Sequence, residues 1–89
     1  MEMRTITRKV LTRALLHAEF VAPGRFPIGT GESWFSITFE DDAFAYRFVV
    51  GLTSVLGPVA AIDVLLQAER VQRGPKEIEV RFPGWTLED

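Results

Sequence analysis

The chain has 89 residues, a formal net charge of -2 and 47% hydrophobic residues. A chain this short buries about 64% of its unfolded surface on folding, so residues 1–89 are expected to form a single domain around one modest core. It contains no cysteine, which excludes a disulfide scaffold, a thiolate metal site and a cysteine nucleophile.

The N-terminal third offers a short strand over Met3–Thr7 and then an amphipathic segment. Wound as a helix from Thr7, that segment places Val10, Leu11, Ala14, Leu15, Ala18 and Val21 on one face, with Leu16 and Phe20 off it. Read as a strand, it strands Leu11 and Leu15 outside. The Ala, Leu, Arg and Glu content favours helix. Pro23 to Glu32 follows as a loop of ten residues, long for so small a domain and therefore a candidate binding loop.

The next stretch predicts a β-hairpin. Ser33–Glu40 and Ala43–Val50 alternate symmetrically about Asp41-Asp42. Phe39 then faces Phe44, Ile37 faces Tyr46 and Phe35 faces Phe48, which gives an aromatic core face. The other face carries Trp34, Ser36, Thr38, Ala45, Arg47 and Val49. A helix is expected from Gly57-Pro58 through Val71, stopping at Gly74-Pro75. A last strand spans Lys76–Phe82, with Ile78, Val80 and Phe82 alternating against charged residues. Pro83-Gly84 ends it, and Trp85 is expected to fold back over an edge. The order (β)αββαβ predicts an α+β fold, a ferredoxin-like antiparallel sheet with helices on one face. The runner-up is βββαβ, with a long N-terminal strand.

Several motifs invite a chemical reading. His17 is the one histidine. An acid–base enzyme would need Glu19, Glu32 or Asp63 to meet His17 or an arginine in a pocket, and nothing in the spacing requires that. One histidine and no cysteine cannot supply an ordinary zinc site, and no cofactor or metal is expected. Gly29-Thr30-Gly31-Glu32-Ser33 resembles part of a phosphate cradle, but no Gly-Lys-Ser/Thr follows, so it reads as a flexible turn. Glu40-Asp41-Asp42 lacks the ligand spacing of a calcium loop and reads as a solvated turn.

Two surfaces remain. Arg25 and Thr30 of the loop, with Trp34, Ser36 and Arg47 of the hairpin's small face, are the candidate binding residues. Trp34 and Arg47 could stack bases, yet Ile28–Asp63 carries five acids and one base, which disfavours nucleic acid. The expected helix is apolar on two sides. Val55, Val59, Ile62 and Leu66 form one stripe, assigned to the sheet; Val64, Ala68 and Val71 lie on the other, the candidate oligomer interface. Val64→Asp is accordingly expected to give a folded monomer.

No apolar run approaches the ~20 residues of a membrane helix, and Arg4, Arg8, Lys9 and Arg13 break up any leader. The sequence thus predicts a small, non-enzymatic cytoplasmic domain that forms a homodimer and binds a partner protein. The alternative is a nucleic-acid or small-ligand module using residues 25–33 and the Trp34/Arg47 face. Asn is absent and Gln and Met are scarce, a bias shared by heat-adapted proteins and GC-rich genomes.

Overall fold

Thr7 is the pivot at which the chain turns from strand to helix. Its extended backbone ends β1 (Arg4–Thr7), and its hydroxyl accepts a hydrogen bond from the Val10 amide at 3.2 Å, capping α1 (Arg8–His17). This computed structural model describes residues 4–18 and 26–88. Leu11, Ala14, Leu15 and Ala18 bury the predicted face of α1, and Leu16 stands exposed. The positions of Phe20 and Val21 lie outside the described residues. The segment expected to be all loop contains a short strand, β2 (Ile28–Thr30), paired antiparallel with β3 (Trp34–Phe39).

The predicted hairpin partner of β3 is a helix. After the Asp41 cap, α2 runs Asp42–Leu56. The Asp41 carboxylate accepts from the Phe44 amide at 3.0 Å, and Asp42 adds negative charge to the first turn, where the helix dipole favours it. The acidic run is therefore a helix start. Phe44, Phe48, Leu52 and Val55 recur at helical spacing and pack on or into the core. Both edges of β3 are already taken, by β2 and by β5 (Glu77–Pro83), so a third strand would find no pairing partner there. Gly51 fits α2 tightly against α1: a Cβ at this position would stand 2.1 Å from the Ala14 carbonyl oxygen.

The second predicted helix is divided. At Gly57, φ is 87°, which ends α2 and admits Pro58 at the start of α3 (Pro58–Leu65). Residues expected to continue that helix instead form β4 (Glu69–Gly74), a hairpin arm with β5 turned at Pro75-Lys76. Val64, Ala68 and Val71 consequently share no helical stripe. Val64 is 1% exposed on α3, Ala68 follows the helix, and Val71 sits in β4. The stripes are also reversed. Val64 faces the core, and Val59 and Leu66, assigned to the sheet, are 83% and 75% exposed.

Strand β5 has the predicted pattern, with Ile78, Val80 and Phe82 buried in alternation. Gly84, at φ 82°, redirects the chain into β6 (Trp85–Glu88), which pairs parallel with β1 from Arg4↔Trp85 to Thr7↔Glu88.

Among the described residues the molecule is an α+β domain with a four-stranded antiparallel sheet, β2-β3-β5-β4, and a separate parallel pair, β1-β6. The order βαββααβββ replaces both the ferredoxin-like order and its βββαβ alternative, because residues 42–56 fold as helix and 69–74 as strand. The core lies between α2 and the sheet. Phe48 meets Phe39 at 5.5 Å and Phe82 at 6.1 Å between ring centroids, and Phe35 stacks on Phe82 at 4.8 Å.

Candidate functional surfaces

The sheet's second face carries the polar alternates of β3 and β5. Trp34, Ser36 and Thr38 stand opposite Pro83, Arg81 and Glu79 in register. The Trp34 indole takes the Arg81 guanidinium over its ring at 4.5 Å from the centroid. Arg81 Nε is buried without a hydrogen-bond acceptor among the described residues, and the electron-rich indole face offsets part of that cost. Gly29 and Gly31 clear space for the same ring: a Cβ at Gly31 would stand 2.1 Å from the indole nitrogen. The glycines thus serve Trp34, and the Gly31 amide is spent on the Trp34 carbonyl at 2.9 Å.

Ser36, a candidate binding residue on the face away from the aromatic core, does lie on that side but is buried and donates to Glu79 Oε2 at 2.9 Å. Arg73 and Arg81 approach Glu79 Oε1 at 2.9 and 3.4 Å. Burial pushes the Glu79 carboxyl up, but the hydrogen bonds from Arg73 and Ser36 and the charges of Arg73 and Arg81 outweigh it, so the net shift is downward. A carboxyl lowered on folding stabilises the native state above its unfolded value, about 4.5, and that contribution is lost as pH falls through the folded-state value. Thermal melts between about pH 5 and pH 3 should therefore show a steeper acid loss in the wild type than in Glu79→Gln. Equal slopes would mean that the cluster has no energetic coupling to folding.

The predicted Trp34/Arg47 face does not exist. Arg47 is exposed on α2, its guanidinium 6.0 Å from the Phe44 ring centroid, and α2 covers the sheet face opposite Trp34. Thr30 is exposed on edge strand β2. Arg25 lies outside the described residues.

No family model matches the chain, and no curated protein or solved structure is significantly similar to it. Function must therefore be read from the surfaces themselves. His17 ends α1 in two shallow clefts, and among the described residues that line them there is no carboxylate. Of the acids weighed against it, Asp63 is bound to Arg4, Glu32 is exposed in the β2–β3 turn, and Glu19 lies outside the described residues. Among the described residues no three His, Asp or Glu side chains gather as a metal site, and no helix is long and apolar enough to cross a membrane. A cleft of about 380 Å³ at one end of the sheet is floored by Phe26 and Phe39 and rimmed by Thr38, Glu40, Lys76 and Glu77.

The apolar stripe that the sequence assigns to the sheet is instead exposed. Val59 and Ile62 on α3 and Leu66 at its C-cap, still in the helical region, recur at i, i+3 and i+7, so they share one outward side, and Ile62 is 57% exposed. Their spacing was legible, but the direction they face depends on where α3 ends.

Proposed function

We propose that this domain is a protein-interaction module that associates with itself through the outer stripe of α3. The observation that carries the reading is the exposure of Val59 and Ile62 on α3 together with Leu66 at its C-cap. The one charged residue of α3, Asp63, is held by Arg4. An uncharged helical stripe is complementary to its own copy across a two-fold axis, where the same patch serves both subunits.

Covering such a side chain is worth about 1.5–3 kcal/mol. Three from each copy offset the association cost of about 4–15 kcal/mol only narrowly. The contact is therefore expected in the micromolar range. A nucleic-acid reading has less support, because the Trp34 ring is already engaged by Arg81 and the two glycines.

Light scattering after size exclusion, from about 10 μM to 1 mM, should show mass rising toward a dimer. Ile62→Asp should stay monomeric with an unchanged melting curve, because its side chain faces outward. A wild type that stays monomeric at high micromolar concentration would remove the proposal.

A further inference from the structure

We infer that the groove between α1 and α2 docks an acidic amphipathic helix from a partner protein. This goes beyond self-association and uses a different surface. The two helices meet at Gly51 and Ala14, leaving two adjoining clefts along the seam. One is lined by Arg13, Leu16, His17 and Val55, and the other by His17, Tyr46, Arg47 and Val50. Leu16, Tyr46 and Val50 are large apolar side chains left exposed there.

The cations decide the chemistry of the occupant. Arg4 is paired with Asp63, Arg70 with Asp42, and Arg73 and Arg81 with Glu79. Arg13 and Arg47 have no carboxylate partner among the described residues, and both line this groove. The described part of α1, Arg8–His17, contains no acidic residue. Exposed apolar side chains between uncompensated guanidinium groups are complementary to a segment that is apolar along one stripe and acidic beside it.

The spacing narrows the match further. Arg13 shares its cleft with Ser54, and Ser54 lies seven residues along α2 from Arg47. At 1.5 Å per residue the two cationic ends stand about 10 Å apart along the seam. A partner helix with carboxylates seven residues apart presents them at the same interval on one side. A seam with a cation at each end suits a helix lying along it better than a lipid surface, which contacts a broad face.

The test uses Ile62→Asp protein, so that its result does not depend on self-association through α3. The probe is a synthetic 18-residue helix of Leu, Ala and Glu, with leucines at i, i+3, i+4 and i+7 and glutamates seven apart. A control peptide carries Lys in place of Glu, and a third arm uses phosphatidylcholine vesicles containing phosphatidylglycerol. Calorimetric titration at low salt should show binding of the Glu peptide, and amide resonances should shift along α1 and α2. Arg13→Glu with Arg47→Glu should weaken that binding at least about tenfold and favour the Lys peptide. Arg13→Gln with Arg47→Gln provides the same comparison without charge reversal, should the Glu pair fail to fold. Equal binding by either variant, capture by vesicles with no peptide binding, or no binding in any arm would each overturn the inference.

Discussion

Phe48→Ala is expected to lower stability by about 3–5 kcal/mol, the range for a buried phenylalanine replaced by alanine. Phe48 is 0% exposed and touches both layers, meeting Phe39 on β3 and Phe82 on β5 from its place on α2. Its loss opens a void where helix and sheet join, and neighbouring rings cannot close it without leaving their own contacts. A domain of this size has about 5–13 kcal/mol in total. The midpoint of thermal unfolding should therefore fall by at least about 12 °C. Thr38→Ala, half-buried on the other face of the sheet, should change the midpoint little. Comparable losses at the two positions would contradict the packing of α2 on the sheet.

Val64→Asp should be at least as damaging. The side chain is 1% exposed, so an ionised carboxylate there would lose its water without gaining a partner, a cost of several kcal/mol. Circular dichroism should show a largely unfolded chain, or a melt that recovers only as acid protonates the new carboxyl. Ile62→Asp, two residues away on the outward side, should retain the wild-type melt. The pair of variants reads the rotational phase of α3 directly. A folded Val64→Asp monomer would restore the outward stripe that the sequence predicts.

The parts legible in the sequence are those whose local signals agree with their tertiary surroundings. Thr7 caps a helix whose apolar face is continuous, and β5 alternates cleanly between core and solvent. Ala43–Val50 reads as strand because Phe44, Tyr46, Phe48, Val49 and Val50 are aromatic or β-branched, which favours strand. They also alternate convincingly over a short window. The helix prevails through the Asp41 cap, through Gly51 against Ala14, and because β3 has no free edge. The capping aspartate was in the sequence, but the close approach of Gly51 to Ala14 and the occupied edges of β3 exist only in the assembled fold.

Residues 69–74 show the converse. Glu69, Arg70 and Gln72 are good helix formers, and Gly74-Pro75 reads equally well as a helix stop or a turn. Pairing with β5 decides it, and Arg70 then reaches back to Asp42 with Nε 2.6 Å from Oδ1, tying β4 to the start of α2. The binding face built from Trp34 and Arg47 vanished with the hairpin that defined it, whereas Ser36 and Trp34 still share a side of β3. Neither the α1/α2 groove nor the outward direction of the Val59, Ile62 and Leu66 stripe could be seen before the helices were placed.

The parallel pairing of β1 with β6 has a consequence for the order of folding. It joins Arg4–Thr7 to Trp85–Glu88, so every contact in it spans nearly the whole chain. The β4–β5 hairpin closes over Pro75-Lys76 alone and pays little entropy to form. Loop-closure cost rises with the logarithm of the span, by about 0.6 kcal/mol per doubling. The strand clasp is therefore among the last contacts to be rewarded, and contacts of this kind slow the search for the native state. Interactions that form after the transition state govern the rate of unfolding more than the rate of folding. Residues 4–7 and 85–88 are thus expected to act as a latch on native lifetime, closing after the rest of the domain has found its shape.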